Sequence, residues 1–144
     1  MPHSLSTFSF TPIDVPGSAY TDASGINDRG QIVGWFEDSM GNGHGFLDTA
    51  GSFTPIDVPG STITEPLGIN DRGQIVGDFF DSTGHEHGFL DIGGSFTPID
   101  VPGSAFTVPL GINDRGQIMG SSHAGLLVPG QGFLATPAHG FPAS

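Results

Sequence analysis

GINDRGQI stands at residues 25–32, again at 68–75 and again at 111–118. The copies lie 43 positions apart, which marks a repeated structural unit rather than a chance motif. Two further phrases keep the same order. FTPIDVPGS opens at Phe10, Phe53 and Phe96, and HGFLD fills 44–48 and 87–91, with QGFLA at 131–135 as its third echo.

One full unit, STITEPLGINDRGQIVGDFFDSTGHEHGFLDIGGSFTPIDVPG at 61–103, is divided by turn residues into four short extended pieces. The first strand is expected at about Pro66–Asn70 and the second at about Gln74–Phe80. The third is expected at about His87–Ile92 and the fourth at Phe96–Val101. Asp71-Arg72-Gly73 and the GGS at 93–95 are short enough for antiparallel hairpins, with Gly73 supplying a positive φ. Pro98 and Pro102 cannot donate to a ladder, so the fourth piece belongs on a sheet edge. Helix is not expected, because Gly or Pro interrupts every long stretch among 24 Gly and 12 Pro.

A four-stranded sheet of this length, with a small inner strand and a proline-marked outer one, has the layout of a β-propeller blade. IDVPGS, GINDRGQIVG and GHEHGFLD resemble the HAF-type extracellular repeat of bacterial proteins, over nearly the whole chain. The layout is also similar to YVTN-type and WD-type propeller blades, although the WD dipeptide is absent. The resemblance implies a secreted bacterial protein of repeat architecture. It carries no catalytic residues over to this chain.

The expected organisation is one repeat domain over 1–144, all-β, with an N-terminal closing strand at 8–17 and repeats at 18–60, 61–103 and 104–144. Labelling the four strands A to D, the chain runs D-ABCD-ABCD-ABC. Three blades are too few for a ring of four to eight. Two chains are therefore expected to pair as a homodimer in a six-bladed ring, each lending its first strand to the other's last blade. The alternative is a monomeric β-trefoil, which also uses three four-stranded units.

Charge narrows the partners. Fifteen Asp and Glu against three Arg and no Lys give a net charge of −12, which argues against nucleic-acid and anionic-membrane binding. The absence of Cys closes thiolate chemistry, and no P-loop, G-x-S-x-G or H-E-x-x-H motif is present. No cofactor is implied. The repeated Asp28-Arg29, Asp71-Arg72 and Asp114-Arg115 turns are expected on one face, and the diverse loops on the other. A ligand is expected on the diverse side, where Tyr20, Trp35 and Phe80 could stack on a sugar while Asp22, Glu37 and Glu65 accept its hydroxyl hydrogens. Asp81, His85, His87, His44 and His123 complete the candidate set. His85 and His87 are two apart on a strand and form a weak metal candidate.

These features give three functional expectations. The first is a non-enzymatic binding or scaffold module, with a glycan as the candidate ligand. The second is a glycan-directed hydrolase or lyase at the ring axis, which would need carboxylates of unusual pKa converging there. The third is a recently amplified propeller fragment without a ligand.

Overall fold

The computed structural model describes residues 7–125 and 129–138, and the described chain is all-β without a helix. The first sheet contains β1 (Tyr20–Ile26), β2 (Ile32–Glu37), β3 (Gly43–Thr49) and β4 (Ser52–Ile56). The second repeats it with β5 (Ile63–Ile69), β6 (Ile75–Phe80), β7 (Glu86–Ile92) and β8 (Ser95–Ile99). The third holds β9 (Phe106–Ile112), β10 (Ile118–His123) and β11 (Gln131–Ala135). All neighbours pair antiparallel in chain order, and no sheet closes on itself.

The sequence expectation for strand order holds: the proline-bearing strands β4 and β8 are sheet edges. The largest boundary difference is at β5, which begins at Ile63, three residues before the expected Pro66, while β8 ends at Ile99 instead of Val101. β5 is itself a sheet edge, where a residue without an N–H is tolerated, so the strand runs through the proline instead of starting there. Gly73 has φ +77°, as its turn requires.

The sheets stack face to face in chain order. Val33, Ile56 and Val58 of the first unit pack on Ile69, Ile75 and Phe89 of the second. Val76 and Leu90 of the second pack on Ile118, with Ile112 and Phe133 at the margin. Each fully buried side chain of this size contributes roughly 1.5–3 kcal/mol. Close approach is secured by glycine. A Cβ on Gly88 would lie 2.7 Å from the Pro109 ring, and one on Gly45 would lie 2.6 Å from the Pro66 ring. The absent side chain lets strand β9 or β5 seat directly on the preceding sheet.

Stacking leaves two bare ends. At one repeated position Val33 and Val76 are both fully buried, whereas Met119 is 52% exposed. At another Leu90 is 1% exposed and Leu134 is 66% exposed. On the opposite face Ile69 is 7% exposed and Ile26 is 67% exposed. The third sheet has three strands among the described residues, and β11 forms its edge where β8 would follow β7. Residues 7–18, which include the expected closing strand, form no regular strand within the chain. Phe53 and Phe96 make edge-on contacts with Phe46 and Phe89 at 5.6 and 5.8 Å, while their counterpart Phe10 is 85% exposed. The stretch near residue 140, where a fourth strand of the last unit is looked for, lies largely outside the described residues.

Candidate functional site

The repeated turns form a hydrogen-bonded ladder. Asn27 Oδ1 accepts from the N–H groups of Arg29 and Gln31 at 3.0 and 2.9 Å, an Asx-type turn that Asn70 and Asn113 repeat. Across units, the N–H of Asp28 donates to Asp71 Oδ1 at 2.7 Å and that of Asp71 to Asp114 Oδ1 at 2.8 Å. Arg72 Nη1 donates to the carbonyl of Asp114 at 3.5 Å. The groups of this face are therefore largely occupied in joining one unit to the next.

Four candidate ligand residues come together on the first sheet. Tyr20 pairs with Glu37 and Asp22 with Trp35 across β1 and β2, so all four project to one side. The Tyr20 and Trp35 rings lie 5.5 Å apart. Trp35 is half-buried, and the Ile63 side chain of the second unit lies nearby on the same side, beside Gly43. Phe80 and Glu65 occupy the equivalent side of the second sheet. His123 lies on the third sheet, its ring 6.1 Å from Phe106.

His44 and His87 are held in matching clamps. His44 Nε2 faces Asp38 at 3.0 Å and Nδ1 faces Asp57 at 3.2 Å. His87 Nε2 faces Asp81 at 2.8 Å and Nδ1 faces Asp100 at 3.3 Å. The bond to Asp38 raises His44 above the ordinary imidazole range, and the bond to Asp81 does the same for His87; partial burial opposes both. Asp38 is lowered to about 2, first by the Asn42 N–H and then by His44. Asp81 is lowered by Thr83, then by His87 and the His85 N–H. His85 Nδ1 turns to Thr83 Oγ1 at 2.7 Å while both nitrogens of His87 face aspartates, so the two imidazoles are not directed to a common point.

A different constellation is the most concentrated. Asp78 on β6 stands in register with Glu65 on β5, and Glu86 on β7 pairs with Phe80, two residues from Asp78. The period of two places all three carboxyls on one side of the second sheet. That is also the side of Gly88, against Pro109 of the third unit. Carboxylate oxygens of the three residues lie within 4.8 Å of one another. Asp78 is 2% exposed and its Oδ2 has no hydrogen-bond partner, whereas Glu65 and Glu86 are half-buried. Burial, with the neighbouring Glu86 and Glu65 carboxylates, pushes the Asp78 carboxyl up to about 10. Sequence reasoning reached Glu65 but missed Asp78 and Glu86.

Compared with known proteins, the chain matches no family model, and no curated protein is significantly similar to it.

Proposed function

We propose that this chain is a non-enzymatic binding or scaffold module whose three units are propeller blades, completed into a six-bladed ring by a second copy. The observation that carries the reading is the contrast at equivalent positions: Leu90 is 1% exposed inside the stack and Leu134 is 66% exposed at its end. An apolar surface that the fold buries wherever a neighbour exists calls for a neighbour at the ends as well. The open edge of β11 and the exposed Phe10 supply the second half of the fit. The partner's FTPIDVPG segment at 10–17 would add the fourth strand, with Phe10 against Phe133 as Phe96 stands against Phe89.

The variable loops are the ligand side in this reading, with Tyr20, Trp35, Asp22 and Glu37 as a glycan-sized patch. Secretion and the HAF-type repeat remain the affiliation that its phrases suggest. Light scattering tests the assembly: the expected mass is twice 14.8 kDa, and Leu134→Asp should return a folded monomer. A wild-type species of 14.8 kDa would overturn it. A glycan array tests the patch, where binding lost in Trp35→Ala supports it and no binding removes the glycan.

The converging carboxylates Glu65, Asp78 and Glu86 favour the second reading, hydrolysis or lysis of a glycan. One feature weighs against it: Asp78 is 2% exposed, which keeps it from a sugar oxygen. Product release from an array-positive glycan would reverse this preference.

A further inference from the structure

We propose that Glu65, Asp78 and Glu86 form a binding site for a calcium ion, unique to the middle unit. The repeat supplies the first argument. Asp78 occupies a slot that holds Trp35 in the first unit and Ser121 in the third, and Glu65 stands where they carry Asp22 and Val108. The shared fold therefore does not require acids here, and their convergence is particular to this sheet.

The second argument is the buried oxygen. Asp78 is 98% removed from solvent, and no N–H or O–H reaches its Oδ2. A carboxylate oxygen in that position lacks the compensation that buried polar groups normally have. Its nearest polar neighbours are two more carboxyl groups, which supply no positive charge. A cation between the three satisfies all of them at once.

The third argument is the donor set. Calcium takes six to eight oxygens at about 2.3–2.6 Å in a flexible geometry, whereas magnesium keeps several waters and is held by one or two carboxylates. Three carboxyl oxygens within 4.8 Å of one another are close enough to share one calcium ion. Half-exposure of Glu65 and Glu86 leaves an approach from solvent and room for the waters that complete six to eight ligands. The three ligands belong to one sheet of one chain, so the site does not depend on ring assembly.

Calorimetric titration of the chelator-stripped full chain with CaCl2, in about 0.15 M KCl to screen surface charge, tests the site. The expected result is one ion per chain, with affinity reduced at least about tenfold in Asp78→Asn and in Glu86→Gln. Asp28→Asn, at an exposed acid in the first unit's turn, should leave binding unchanged. Calcium should also raise the melting temperature of the wild type and not that of Asp78→Asn, whose folding is checked by circular dichroism. No heat and no thermal shift up to about 10 mM calcium, beyond the weakest extracellular sites, would overturn the proposal. So would an equal response in wild type and Asp78→Asn, which would mean diffuse attraction to an acidic chain.

Discussion

Asn27 Nδ2 donates to the carbonyl of Asn70 at 3.0 Å, and Asn70 Nδ2 donates in turn to the carbonyl of Asn113 at 2.9 Å. One side chain thus shapes its own turn and fastens the next unit. Asn70 is 4% exposed, so losing it strips partners from buried groups that water cannot reach.

Asn70→Ala is therefore expected to cost about 2–4 kcal/mol, several hydrogen bonds at roughly 1 kcal/mol each plus the unsatisfied remainder. Asn113, exposed at the end of the ladder, should cost under about 1 kcal/mol in a monomeric background such as Leu134→Asp. Urea unfolding of both variants measures the difference. Equal losses would show that the inter-unit bond contributes little.

The β3–β4 hairpin turns through Ala50 at φ +53°, where the β7–β8 hairpin has Gly93 at +61°. A left-handed conformation costs an L residue roughly 1–2 kcal/mol, offset in part by the larger unfolded-state entropy of glycine. Ala50→Gly should raise stability by about 0.5–1 kcal/mol in the same unfolding measurement. A loss of stability would refute the strain argument.

The histidine clamps predict a pH window. His44 and His87 lie above 6.5 in the folded chain, so their stabilisation is complete below about pH 6.5 and fades as pH rises through the folded value. Asp38 is lowered from 3.8 to about 2, so its contribution is present above 3.8 and disappears as pH falls through about 2. The clamps should stabilise most between about pH 4 and 6.5. Replacing both histidines by Gln, the residue found at Gln131 in the third unit, isolates this effect. The melting-temperature gap to wild type should be widest near pH 5 and shrink by pH 8.5, while Asp78, common to both proteins, cancels. A gap that widens with pH would contradict the clamp.

Much of the architecture was readable from the repeats. Comparing copies exposed the four-strand unit, and Pro98 marked the edge strand because a missing donor leaves few other places. The NDRG turns announced an Asx geometry through Asn27 and its copies. Pro66 misled for the same chemical reason that Pro98 informed: β5 is also a sheet edge, where a missing N–H is tolerated within the strand. The acidic trio was obscure because Glu65, Asp78 and Glu86 sit on three strands and meet only through register. One clue was present, the replacement of Trp35 and Ser121 by an acid at a slot inside the stack. The tie from the Val58 N–H to Thr64 Oγ1, with Ser61 alongside, also passed unnoticed, since Ser-x-x-Thr carries no signal on its own.

In the proposed assembly the surface around Leu134 of one copy meets the surface around Ile26 of the next. Association of that kind has a polarity, head to tail, and one contact geometry serves every junction. The rotation between successive sheets then decides whether growth ends in a closed particle or continues as a filament. Adding a fourth 43-residue segment would change how many polypeptides a particle needs while leaving the joint itself untouched.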